Sequence, residues 1–226
     1  MPDRSTSYVP AAGHDFLLPL YDPMLRVLGR ERAFRTRLLE QADVGPHDRL
    51  LDVGCGTGTF AILVKRSRPE ADIVGVDGDP KALARARRKA ERAGVRLALD
   101  EALATHLPYA DASFDRVTSS LVLHHLTHDE KLAALREIRR VLRPGGSFHL
   151  ADFGPAVTPL GRLAALHFGP SERMRDHRDG RLPELLREAG LSEVRALGHH
   201  ATVFGTIHFH AAIRARADEV SAGGAP

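Results

Sequence analysis

Asp52, Gly54, Gly56 and Gly58, at alternate positions, and a second acid, Asp77, carry the most legible chemistry in this sequence. They lie in LLDVGCGTGTF, Leu50 to Phe60, and in IVGVDGDP, Ile73 to Pro80. Glycine has no Cβ, so a glycine turn lets the backbone come close to a ligand. A helix that starts there aims its unpaired first-turn N–H groups at the same ligand. An acid ending the next strand is placed to hold ribose hydroxyls. Together these features imply a nucleoside-containing cofactor. Histidine supplies the other candidate chemistry. His124 and His125 follow an apolar strand, and an ordinary imidazole pKa of about 6.5 suits a general base. On this reading His124 is the catalytic residue; the alternative is that one of the two packs and the other is solvated.

Three nucleotide sites could use such a glycine loop. A phosphate-binding loop needs G-x-x-x-x-G-K-[ST], and no Lys-Ser/Thr follows these glycines. A dinucleotide loop needs G-x-G-x-x-G; counted from Gly54, the last position is Thr59, so the fit is imperfect. The pattern D-x-G-x-G-x-G is met in full by Asp52, Gly54, Gly56 and Gly58.

The elements that must position these residues alternate. Arg49 to Val53 reads as a strand, Thr57 to Ser67 as a helix and Asp72 to Asp77 as a strand. Pro80 to Ala93 reads as a helix, with Asp79 as its N-cap and Gly94 as its stop. Val95 to Asp100 and Ser113 to Ser120 are the next strands, and His128 to Leu142 is a strongly periodic helix. Arg143 to Gly146 forms a turn before a strand at Ser147 to Phe153. Alternating strands and helices predict a parallel sheet covered on both faces. Leu182 to Ala189 is a helix, and Leu191–Val203 and Thr206–Ala215 are two strands with a short joint, so one strand runs antiparallel. Before the first strand, His14 to Ala42 is helical in pattern, broken at Pro23 and Gly29.

The third loop pattern resembles motif I of the class I S-adenosylmethionine-dependent methyltransferases. IVGVDGDP resembles their second motif. LPYADASFDRVTSSLVLHHL, Leu107 to Leu126, is similar to the fourth-strand block of the small-molecule group typified by the ubiquinone and menaquinone methyltransferases. EIRRVLRPGGSFHLADF, Glu137 to Phe153, is similar to their fifth-strand block. The resemblance runs from about Val44 to Phe153 and implies a seven-stranded Rossmann-like α/β sheet, mostly parallel, with one antiparallel strand near the C-terminus and helices on both faces.

It implies S-adenosyl-L-methionine as the cofactor. Asp52 would orient the loop and meet the methionine ammonium, Asp77 would accept from the ribose, and Gly78 and Asp79 would line the adenine. Ser120 joins the set at the end of the fourth strand. The family usually places an acid on the adenine amino group where this chain has Leu103. Either the loop is shifted, with Asp100 and Glu101 nearby, or adenine packs on Leu103 and meets the Ala104 backbone. Tyr21 is expected to reach the methionine carboxylate.

On this reading residues 1–44 form a helical lid, 45–153 the cofactor core, and 154–226 an insertion with a helix and hairpin strands. The acceptor is a small molecule with an O, N or C nucleophile. The rivals are a protein that binds the cofactor without catalysis and an NAD(P)-dependent oxidoreductase.

Composition agrees. The 226 residues are 43% hydrophobic and 27% charged, with a net charge of +3, ordinary for a globular protein. The basic run RARRKAERAGVR is interrupted by Glu91 and lacks interleaved aromatics, so a solvated helix face is expected, not a nucleic-acid groove. One cysteine, Cys55, excludes an internal disulfide; a small buried filler is expected there. No run reaches the ~18–20 apolar residues of a membrane span, and no apolar signal core is seen. A cytoplasmic monomer or homodimer is the expectation. Thirteen histidines include His199, His200, His208 and His210 near the C-terminus. No carboxylate or cysteine accompanies these four, so no metal site is expected.

Overall fold

The computed structural model describes residues 31–158, 171–202 and 205–216. Helix α1 spans Glu31–Ala42. Then come β1 (Arg49–Val53), α2 (Thr59–Ser67), β2 (Asp72–Asp77), α3 (Pro80–Ala93), β3 (Ala98–Glu101) and β4 (Phe114–Ser120). A 3-10 turn, Leu123–His125, leads into α4 (His128–Val141) and β5 (Leu142–Phe153). After a second 3-10 turn, Glu172–Met174, follow α5 (Arg175–Arg178), α6 (Leu182–Glu188), β6 (Ser192–Thr202) and β7 (Gly205–Ile213).

The seven strands form one sheet in the order β3-β2-β1-β4-β5-β7-β6. Every pair from β3 to β5 is parallel, and β7 is antiparallel to both of its neighbours. The expected fold is the one found. Leu50 and Leu51 show why β1 reads as unbroken apolar sequence. Successive side chains of a strand point to opposite faces. Leu50 joins Phe34, Leu38, Phe60 and Val64 under α1 and α2. Leu51 joins Leu132, Leu135, Ile138 and Leu185 under α4 and α6.

Helix ends follow the sequence chemistry. Asp79 caps α3 by accepting from the Lys81 N–H at 2.8 Å, and Gly94 ends it at φ 67. Thr127 and Glu130 form a reciprocal capping box at the start of α4. Several boundaries differ from expectation, three of them for a visible reason. Helix α2 begins at Thr59 because Gly58 is left-handed at φ 73 and serves as its N-cap. Strand β3 is only Ala98–Glu101, since pairing to β2 starts at Val74↔Ala98. Strand β5 continues through Arg143–Gly146, where a turn is expected from Pro-Gly-Gly. A register shift between Phe114 and Arg116 absorbs those residues, and Gly145 and Gly146 bond to Arg214.

One buried ion pair ties the segment before α6 to α4. Lys131 is fully buried, and its Nζ donates to Asp176 Oδ2 at 3.0 Å and to the Arg173 carbonyl at 2.6 Å. Asp176 also accepts from His128. Burial raises the Asp176 carboxyl, but its bond and attraction to Lys131 outweigh that and hold it below the usual carboxylate range. Breaking one side of a buried pair strands the other charge. Lys131→Met is therefore expected to cost about 3–5 kcal/mol in denaturant unfolding, and the pair Lys131→Met with Asp176→Leu to recover most of it. A double variant as unstable as the two single losses added would refute the pairing.

The expected lid, residues 1–44, lies mostly outside the described residues, as does Tyr21. Residues 31–42 of it are helical and pack on the sheet.

Candidate cofactor and acceptor site

The glycine turn sits between the end of β1 and the start of α2. Gly54, Gly56 and Gly58 all have positive φ, at 69, 53 and 73. The turn is closed by its own amides. Gly54 and Cys55 N–H both donate to the Val76 carbonyl at 2.8 and 3.0 Å, and Gly58 N–H donates to the Cys55 carbonyl at 2.9 Å. Gly56 N–H donates to Asp77 Oδ2 at 2.7 Å. Asp77 Oδ1 accepts from Asp79 N–H at 2.9 Å. So the carboxylate at the end of β2 braces the loop, a role the sequence suggests for Asp52. Burial raises the Asp77 pKa, against the lowering effect of these two bonds.

Four loop amides are already satisfied, and Asp77 places a carboxylate against the loop. A phosphate chain would find these donors taken and a like charge beside them. A phosphate-free cofactor with a diol and an amino acid meets no such conflict. The backbone of Gly56 also presents open space, since a Cβ built there meets nothing within 4 Å. The residues present fit S-adenosylmethionine.

Asp52 lies inside the sheet, 1% exposed. Thr118 Oγ1, on the adjacent β4, donates to its Oδ1 at 3.0 Å. Burial pushes its carboxyl up to about 7, with Thr118 and Arg35 opposing and Asp77 adding to the rise. Cys55 is the buried filler expected; burial, then Asp52 and Asp77, push its thiol up and keep it protonated. Beyond β2, Gly78 is partly exposed. Leu103 is 38% exposed, one of three large apolar side chains so exposed among the described residues. Ala104 is partly buried against the core. Asp100 is engaged elsewhere, accepting from the Tyr109 hydroxyl at 2.9 Å. Ser120 ends β4 and pairs with Ala151 of β5.

His124 lies in the turn after β4, and Asp152 is the residue that sequence reasoning missed. His124 Nδ1 is 2.7 Å from Asp152 Oδ1. Asp152 is fully buried near the carboxyl end of β5. Its oxygens also accept from the N–H groups of Val122 at 3.1 Å, Leu123 at 2.8 Å and Phe153 at 2.8 Å. Burial raises this carboxyl, yet His124, His177 and the Phe153 N–H outweigh it and hold it far below the carboxylate range. A carboxylate only accepts, so His124 Nδ1 carries the proton and Nε2 keeps a lone pair when the ring is neutral. The signal was present in HLADF: Phe148 and Leu150 are core residues, and the next residue of that face is an acid. Leu121, just before this turn, sits at φ 58 with its N–H donated to the Ala151 carbonyl at 2.9 Å. An apolar side chain in that conformation is strained, and the bonds to β5 hold it there.

His125 lies against His124 with ring centres 3.9 Å apart and the planes tilted by 43°. Burial, then repulsion from His124, pushes its pKa down to about 3, so it stays neutral. His208 and His210 share a face as expected, their rings stacked 6.5 Å apart. Among the described residues no group of three or more His, Cys, Asp or Glu is arranged to hold a metal ion, and no helix is long and apolar enough to cross a membrane.

Residues 50–146 match the family described as a methyltransferase domain. A demethylmenaquinone methyltransferase of Thermus thermophilus is 39% identical over 141 residues, 62% of this chain and 63% of that protein. A 27-O-demethylrifamycin SV methyltransferase of Amycolatopsis mediterranei is 37% identical over 154 residues, 64% of this chain and 54% of its own length. The chain thus spans less than two thirds of either relative. The crystal structure of the S-adenosylmethionine-dependent methyltransferase SibL superposes with a TM-score of 0.71 at 23% identity, over 91% of this chain and 61% of SibL, a likeness of fold. The glycine turn, the acid after β2 and the strands that flank them are thus those of the methyltransferase domain that residues 50–146 match.

Proposed function

We propose that this protein transfers the methyl group of S-adenosylmethionine to a hydroxyl of a small-molecule acceptor, with His124 as the base. The observation that carries the cofactor is the glycine turn whose amides are taken by Val76, Cys55 and Asp77. The one that carries the base is the buried His124–Asp152 pair. Bound, S-adenosylmethionine supplies an electrophilic methyl on a sulfonium, and the thioether leaves.

Asp77 accepts from the ribose hydroxyls with its remaining lone pairs. Gly56 lets the chain lie close, and Asp52 faces the ammonium. Gly78, Leu103 and Ala104 would hold the base ring, and Ser120, at the end of β4, would meet the methionine part. His124 Nε2 takes the acceptor's proton as the C–O bond forms, and Asp152 stabilises the imidazolium that results. Sulfonium chemistry needs alignment more than acid or base. An elaborate buried carboxylate behind His124 is best explained by an acceptor that must lose a proton, which a hydroxyl does. The rifamycin relative carries an O-methyl transfer in its name. A cytoplasmic enzyme, monomeric or homodimeric, is the accompanying expectation.

Calorimetry with S-adenosylmethionine, S-adenosylhomocysteine and NADH tests the cofactor, and methyl release across a panel of hydroxyl, amine and carbon acceptors tests the reaction. Binding of NADH with no heat from either sulfur compound would sink the proposal. Binding of both sulfur compounds with no turnover on any acceptor would favour a non-catalytic binding protein.

A pH dependence follows from Asp52. Its folded pKa of about 7 is raised above the 3.8 of a free carboxyl. The folded chain therefore holds a proton the unfolded chain has lost, and stability falls as pH rises from about 4 to 7. An ammonium beside Asp52 favours the ionised form. S-adenosylhomocysteine should bind up to about fivefold more tightly at pH 7 than at pH 6, with a proton released to the buffer on binding at pH 6. An affinity flat across that range would remove Asp52 from the ammonium.

A further inference from the structure

A second histidine stands beside the His124–Asp152 pair, and its free nitrogen is unaccounted for. His177 lies on α5 and is fully buried. Its Nδ1 is 2.8 Å from the Phe153 carbonyl. A carbonyl only accepts, so this nitrogen carries the proton and Nε2 carries a lone pair. Burial lowers the pKa of the ring, against the raising influence of Asp152 and the Phe153 bond, and keeps it neutral. Nε2 is buried and has no hydrogen-bond partner among the described residues. A buried acceptor without a donor is costly, and such groups are few in folded proteins.

The location gives the orphan nitrogen a use. The His177 and His124 ring centres are 6.2 Å apart, with their planes at 85°. Phe153 joins them: its carbonyl holds His177, and its ring packs on His124 at 4.9 Å. The element that carries His177 is itself anchored. Asp176 and the Arg173 carbonyl bind the buried Lys131, and the Arg173 guanidinium donates to the His125 carbonyl at 2.8 Å. Two fixed imidazoles, each with Nδ1 occupied and Nε2 an acceptor, thus have ring centres 6.2 Å apart.

We propose that His177 Nε2 accepts a hydrogen bond from a second hydroxyl of the methyl acceptor, so that the substrate class is a molecule with two neighbouring hydroxyls, as in a catechol. One hydroxyl gives its proton to His124 and is methylated. The other keeps its proton and donates to His177. A mono-hydroxyl compound leaves Nε2 unpaired and binds less well. This rests on the methyltransferase reading above and names the acceptor for that same site.

The test is binding to the protein loaded with S-adenosylhomocysteine, using catechol and phenol as probes. Catechol should bind about tenfold more tightly than phenol, the worth of one hydrogen bond. His177→Asn is the informative variant, because the amide nitrogen can still donate to the Phe153 carbonyl while the Nε2 acceptor is gone. It should weaken catechol to the level of phenol and leave phenol unchanged. Equal weakening of both probes, or catechol binding no better than phenol to the unaltered protein, would overturn the proposal and leave His177 a structural residue. Thermal melting of His177→Asn separates a folding defect, which would lower both affinities together. Failure of S-adenosylhomocysteine itself to bind would instead strike at the cofactor reading, so the two failures are distinguishable.

Discussion

Asp152→Asn is expected to lower kcat by about 10²–10⁴-fold, the range a positioned general base supplies. The carboxylate does three things at once. It fixes the His124 tautomer, it stabilises the imidazolium, and it ties down the turn through the Val122 and Leu123 N–H groups. An asparagine can turn its oxygen to the backbone donors or to His124, and its NH₂ must then face the other. If the NH₂ faces His124, Nδ1 must accept and Nε2 becomes the protonated nitrogen, which cannot take a proton. Cofactor affinity should change little, because the bonds of Asp152 go to Val122, Leu123, Phe153 and His124, none of them a proposed cofactor residue. The measurement is kcat at saturating acceptor together with the S-adenosylhomocysteine Kd. An unchanged kcat would show that the site works by alignment alone. The stability effect has a definite sign. The folded pKa of Asp152 is depressed, so its contribution is complete above the ordinary carboxylate range and is lost only as pH falls below it. The variant should therefore melt lower than the unaltered protein at neutral pH, with the gap closing in acid.

Much of this fold is legible in the sequence because its elements obey local rules. β1, β2 and α3 fall where alternation, periodicity, Asp79 and Gly94 place them. The antiparallel β7 follows from the short joint to β6. What local reading misses is decided by partners distant along the chain. Arg143–Gly146 reads as a turn but joins β5, because Arg214 bonds across to Gly145 and Gly146. The glycine turn is legible as a ligand loop, yet its bracing by Asp77 is not, since that depends on where the end of β2 meets Gly56. His124 can be picked out as a histidine after a strand. Its partner Asp152 lies 28 residues away on the next strand, and His177 reaches the same place from a short helix whose sequence has no periodicity to read. Pairing of charges across strands is a property of topology, and only the strand order makes it visible.

Two neighbouring glycines should fail in opposite ways when changed to alanine. A Cβ on Gly54 would lie 2.2 Å from Val122 Cγ2 and 2.9 Å from Cγ1, at a backbone φ of 69. Val122 cannot retreat freely, because its N–H is held by Asp152 and it opens the turn that carries His124. Gly54→Ala therefore combines a left-handed alanine, roughly 1–2 kcal/mol, with an overpacking cost of about 1–3 kcal/mol. It should lower the melting temperature and displace His124 together. A Cβ on Gly56 meets no atom of the described residues within 4 Å, at φ 53. Gly56→Ala carries only the left-handed term, and the fold should survive. On the proposed reading the cofactor lies on the open face of Gly56, so its added methyl should remove most of the binding. Calorimetry with S-adenosylhomocysteine and thermal melting of the two variants form a crossed comparison. Gly54→Ala should show the larger drop in melting temperature, and Gly56→Ala the larger loss of affinity relative to its small drop. If Gly56→Ala bound S-adenosylhomocysteine as the unaltered protein does, the ligand would not lie against that turn. The space left by the missing Cβ would then be a property of the loop alone.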